Sequence, residues 1–95
     1  MTTDDKDILE RKAILDFPCQ FPIKIMGRDS AVFRDAARAI VEKHAGEISD
    51  DAVRQAASRK GNFVSLTITI EASSQLQLDK IYQDLTAHDE ILVAL

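Results

Sequence analysis

From Val64 to Glu71 apolar and polar residues alternate without a break. Val64, Leu66, Ile68 and Ile70 fall on one side, and Phe63, Ser65, Thr67, Thr69 and Glu71 fall on the other. Successive side chains leave opposite faces of a pleated strand, so this pattern predicts a sheet with one face on a core and the other in water. A helix follows at once. Ser74 is placed as its N-cap, Gln77 three positions on completes a capping box, and Leu78, Ile81, Tyr82 and Leu85 recur at helical spacing. Strand and helix each carry one apolar side, and pressing the two together hides both.

The rest of the chain repeats the theme. Phe17 to Pro22 holds two prolines and should be extended, and Phe21, Ile23 and Ile25 then alternate with Pro22, Lys24 and Met26 up to Gly27. Asp29 or Ser30 can cap a second helix, whose stripe is Phe33, Ala36, Ala37, Ile40 and Val41 and whose end is marked by Lys43, His44 and Gly46. Glu47 to Ser58 reads two ways. Ser49-Asp50-Asp51 before alanines favours helix, whereas Gly61-Asn62 ahead of the Phe63 strand reads as a hairpin turn and requires Ala52 to Ser58 to pair as an edge strand. The strand is the reading adopted, since an edge tolerates poor β propensity. Ile91 to Leu95 makes a short last strand.

The predicted order is strand, helix, strand, strand, helix, strand. It specifies an α+β, ferredoxin-like βαββαβ two-layer sandwich: a four-stranded antiparallel sheet with both helices on one face. The domain is assigned to residues 17–95. Residues 1–16 form a charge-rich N-terminal tail, flexible or partly helical, in which Ile8, Leu9, Ala13 and Leu15 can make a turn that packs on the body.

Composition narrows the function classes. The 95 residues suffice for one small domain, and the 45% hydrophobic and 29% charged fractions are ordinary. A formal net charge of -4 disfavours nucleic acid and anionic lipid as partners. No apolar run is long enough to span a bilayer, the acidic start lacks the features of a signal peptide, and Cys19 has no second cysteine to bond. The expected location is the cytoplasm.

Several segments resemble the YbeD-like family of small bacterial proteins of unknown role. They are Leu15-Asp16-Phe17-Pro18, Phe21 through Gly27, Ser58 through Phe63, the Val64–Ile70 strand and Ile81-Tyr82-Gln83-Asp84-Leu85. The resemblance implies a ferredoxin-like fold similar to the ACT regulatory domains of amino-acid biosynthesis, and it brings no agreed activity, cofactor or catalytic residue.

One candidate site follows from this reading of the topology. The first and third strands are read as parallel, so their C-terminal ends lie together and each feeds a helix. Two helix N-termini then converge near Gly27, Arg28, Asp29, Ser30, Ser73 and Ser74, a place for a small carboxylate or phosphate metabolite with Arg28 as bidentate donor. The plainer reading is that Ser30 and Ser74 cap their helices and Gly27 turns the chain. The basic group Arg54, Arg59 and Lys60 is expected at the opposite end of the sheet from Arg28.

Other chemistries lack their residues. Gly27-Arg28 with Phe33-Arg34 falls short of an acylphosphatase-like phosphate loop, because the intervening glycines are missing and Asp29 repels phosphate. An RNA-binding sheet needs stacked aromatics, yet the polar face offers Lys24, Met26, Ser65, Thr67 and Thr69 with only Phe63 nearby. His44 should meet free helix carbonyls, and His88 and Cys19 show no metal-ligand spacing. No catalytic residue, metal or cofactor is expected. The expectation is a non-enzymatic binding module: a small-ligand-sensing regulatory domain or, alternatively, a protein–protein adaptor, acting as a homo-oligomer or with a protein partner.

Overall fold

A computed structural model describes residues 16–58 and 61–95. The tail assignment therefore lies, up to residue 15, outside the described residues, and so do Arg59 and Lys60. The elements are β1 (Cys19–Arg28), α1 (Ala31–Ala45), a 3-10 turn (Asp50–Ala52), β2 (Val53–Ala57), β3 (Phe63–Ala72), α2 (Gln75–Ala87) and β4 (Val93–Ala94). The four strands form one sheet in the order β2-β3-β1-β4, every neighbouring pair antiparallel, with both helices on one face. This is the expected ferredoxin-like sandwich.

The alternation in the sequence becomes the two faces of the sheet. Val64, Leu66, Ile68 and Ile70 of β3 are buried with Ile23 and Ile25 of β1, under Phe33, Ala37 and Val41 of α1 and Leu78, Ile81 and Leu85 of α2. The caps fall where the side chains demand them. Ser30 Oγ accepts from the Phe33 N–H at 3.1 Å, and Ser74 Oγ accepts from the Gln77 N–H at 3.0 Å. The Gln77 side chain reaches back, its Oε1 accepting from the Ser73 N–H at 2.7 Å. Gly46 ends α1 at φ 81°, a left-handed conformation in which a β-carbon is strained.

The ambiguous stretch resolves in favour of the strand. Val53–Ala57 pairs antiparallel with Ile68–Val64, preceded by the 3-10 turn that the aspartates nucleate. The connection from α1 is held by Arg38, which bonds Asp50 at 2.8 Å, Glu42 and the Ile48 carbonyl oxygen, while Glu42 accepts from the Ile48 N–H at 3.0 Å. This clamp seats Ile48, which is 6% exposed, under the edge of the core. The last strand is shorter than the pattern suggested: β4 itself is Val93 and Ala94, flanked by backbone hydrogen bonds from Leu92 and Leu95 to β1, and Ile91 reaches the core from the preceding loop.

Gly27 has a packing role. A β-carbon there would run into the Phe33 ring and would come within 2.7 Å of the Glu90 carbonyl oxygen. The β1 backbone thus touches the first core aromatic of α1. Gly27→Ala is expected to cost about 1–3 kcal/mol in urea unfolding, and Phe33→Leu in the same chain should recover part of that loss by making room. Unchanged stability in the single variant would contradict this contact.

Candidate functional site

The structure splits the sequence-predicted site in two. β1 and β3 are antiparallel, with Cys19 opposite Ala72 and Arg28 opposite Phe63. Gly27, Arg28, Asp29 and Ser30 therefore stand at one end of the sheet and Ser73 and Ser74 at the other. Nine strand steps of about 3.3 Å separate the two groups, roughly 30 Å. The parallel assignment of these two strands is corrected by simple connectivity. A helical crossover makes β1 and β2 parallel, a hairpin makes β3 antiparallel to β2, and β3 is then antiparallel to β1 as well. No pocket can draw on both helix N-termini.

Within each group the polar atoms are already engaged. The Ser30 and Ser74 hydroxyls cap their own helices, and the Ser73 hydroxyl bonds Gln77 at 3.2 Å. Asp29 is paired with Arg34, and its N–H donates to the Asn62 carbonyl oxygen at 3.1 Å. That bond ties the end of β1 to the β2–β3 hairpin, so Arg28 lies at the hairpin end and not opposite it. Arg28 itself is exposed, forms no salt bridge among the described residues, and sits 5.8 Å over the Phe63 ring.

What these residues build instead is the open face of the sheet. By register, Lys24, Met26 and Arg28 of β1 stand beside Thr67, Ser65 and Phe63 of β3, with Arg54 and Ala56 of β2 on one flank. On the other flank Val93 stands opposite Met26, and Leu95 exchanges backbone hydrogen bonds with Lys24 at 3.1 and 2.8 Å. Phe63, Val93 and Leu95 are 40%, 41% and 65% exposed. A shallow depression of about 200 Å³ lies between Met26, Lys24, Phe63 and the Ala56–Ser58 segment. Lys24, Arg28 and Arg54 give this face positive charge, with Asp51 beside Arg54 and Glu71 toward its far end among the described residues, in a chain whose net charge is -4. The sequence pattern marked Lys24, Met26 and Phe63 as open-face residues. Val93 and Leu95 were missed because only the register of β4 decides which way a two-residue strand faces.

The helix side holds a different polar contact. His44 does not meet free carbonyls with its ring; Nε2 lies 2.6 Å from Asp84 Oδ2, and the His44 carbonyl oxygen accepts from Gln77 Nε2 at 3.0 Å. Together they brace the end of α1 against α2. The bond from His44, with help from Lys43, holds the Asp84 carboxyl below its ordinary range. Among the described residues there is no group of three metal-ligating side chains and no buried side-chain nitrogen or oxygen without a partner. No helix among them is long and apolar enough to cross a membrane.

A carboxyl with a depressed folded-state pKa stabilises the fold above its unfolded pKa, and that stabilisation disappears as pH falls through the folded value. Asp84→Asn should therefore lower Tm in buffers above pH 3.8, the ordinary value, and the gap to the native chain should close as the buffer is taken below it. A gap that stays constant with pH would contradict the His44–Asp84 brace.

Comparison with known proteins places the fold and the lineage. Protein HP0495 from H. pylori superimposes with a TM-score of 0.61 over 85% of each chain at 15% identity, which speaks for the fold alone. A UPF0250 protein of Nitrosomonas europaea is 37% identical over 92% of this chain and 100% of its own length. A UPF0250 protein of Paraburkholderia phytofirmans is 38% identical over 88% of this chain and 94% of its own. The family described as protein of unknown function (DUF493) matches residues 12–95. The chain therefore belongs to the DUF493 family, the UPF0250 or YbeD-like group of small bacterial proteins.

Proposed function

We propose that this protein is a non-catalytic adaptor that binds another protein on the open face of its sheet. The observation that carries the reading is the apolar group of half-buried Met26 and exposed Phe63, Val93 and Leu95, set among Lys24, Arg28 and Arg54 on the face that no described helix covers. Apolar anchors rimmed by like charge suit a partner segment that is itself amphipathic and acidic. A catalytic reading finds less support. The His44–Asp84 pair is spent on joining two helices, and the open face offers no converging acid, base and nucleophile.

A metabolite sensor is the weaker reading, because the helix N-termini stand apart and their hydroxyls are engaged. Arg28 is what remains of it. That reading requires millimolar carboxylates or phosphates to raise Tm, and Arg28→Ala to erase the rise.

A photo-crosslinking residue at Met26 should give a stoichiometric adduct with one cellular protein. The same group at Lys80, on the outer side of α2, should give none. Lys24→Glu with Arg28→Glu should abolish the Met26 adduct while leaving the fold unchanged by circular dichroism. Equal capture from both positions, or capture indifferent to the charge reversals, would overturn the adaptor reading.

A further inference from the structure

Among the described residues, β2 is an unguarded edge. Arg54, Gln55, Ala56 and Ala57 are all exposed, although Gln55 and Ala57 lie opposite the buried Leu66 and Val64 on the helix side. The strand projects past the helix layer as a shelf. Beneath it runs a groove of about 370 Å³, walled by Arg34 and Arg38 and reaching Val53, Gln55, Leu66 and Ile68. Proteins usually blunt such an edge with proline, a bulge or an edge-facing charge. β2 has no proline, and the side chain of its one charge, Arg54, belongs to the open face.

The hydrogen bonds left over form a definite pattern. Ser58 N–H donates to the Phe63 carbonyl oxygen at 2.8 Å, in register with the β2–β3 ladder. Antiparallel pairs alternate, so Ala56 and Arg54 also turn their backbone groups toward β3, whereas Val53, Gln55 and Ala57 turn theirs outward. The Val53 N–H is already taken by the Asp50 carbonyl oxygen. Among the described residues the free outward set is thus both groups of Gln55, both groups of Ala57 and the Val53 carbonyl. Under a two-fold rotation about Gln55 this set is complementary to itself except for the Ala57 carbonyl, whose counterpart, the Val53 N–H, is taken and which stays with water. Gln55 exchanges both bonds with its own copy, and each Ala57 N–H finds the other Val53 carbonyl.

The side chains agree with the same operation. Val53 falls opposite Ala57, large against small, and Arg54 falls opposite Ala56, so no like charges meet directly across the strands. We infer that β2 pairs antiparallel with β2 of a second copy of this chain, joining two sheets into one with the helices of both copies on the same side and the open faces continuous on the other. This rests on the edge and its backbone register and stands independently of the adaptor reading.

The test is sedimentation velocity with amide hydrogen exchange on the full chain. The native chain is expected to sediment as a dimer. The Gln55 and Ala57 amides, which have no partner among the described residues of one copy, should be protected in that dimer and lose protection on dilution. Gln55→Pro removes an outward N–H without touching the β2–β3 ladder, and Gln55→Lys sets two like charges against each other at the axis. Both should sediment as folded monomers. A monomeric native chain at NMR concentrations would overturn the inference. So would a dimer indifferent to Gln55→Lys, or unprotected Gln55 and Ala57 amides within the dimer.

Discussion

The ten-residue antiparallel ladder between β1 and β3 is the constraint from which the rest of the molecule follows. These two strands occupy the middle of the sheet and supply its most deeply buried side chains. Their pairing sets which residues face the helices, because a slip of one position would turn every core isoleucine of β1 into water. Their direction sets where the helices start. Each helix leaves from the C-terminal end of its own strand, and antiparallel strands end at opposite edges of the sheet. The two positive helix ends are kept far apart by the same hydrogen bonds that hold the core.

This geometry moves attention from the ends of the sheet to its surface. Over the central strands the core side is closed: the helices cover it, Arg38 and Glu42 lock the connection into β2, and the His44–Asp84 contact braces the helices against each other. The other side carries cations and exposed apolar groups on strands that are rigidly paired. A flat, stiff surface of this kind loses little conformational entropy on binding, which favours recognition of a protein partner over capture of a small molecule. The free edge of β2 lies beside that surface, so pairing at the edge would enlarge it without covering it.

Much of this was legible in the residues. The strict alternation of Val64 to Glu71 specified a two-faced strand, and Ser74 with Gln77, and Asp29 or Ser30, marked the starts of the helices. The β2 strand was legible only through its neighbour. Its alanines have little strand propensity, and the Gly61-Asn62 turn before β3 was the signal that a pairing segment had to precede it. Strand direction was also contained in the element order, since crossover and hairpin each fix a sense. The convergent pocket came from treating two strands that each feed a helix as if they ran the same way. Other features had no local signal. The contact of Gly27 with Phe33, the burial of Ile48 and the meeting of His44 with Asp84 join residues distant in the chain, and periodicity within one element carries no information about them.

The most direct measurement is a pulsed dipolar distance between nitroxides placed by Arg28→Cys and Ser73→Cys in a Cys19→Ser background, diluted with unlabelled chain so that only the intramolecular distance is read. Nine strand steps along the central ladder put the two labels roughly 30 Å apart. A separation of half that or less would mean that the two helix starts adjoin, and the ladder, the closed helix side and the sheet-borne recognition surface would all be contradicted at once.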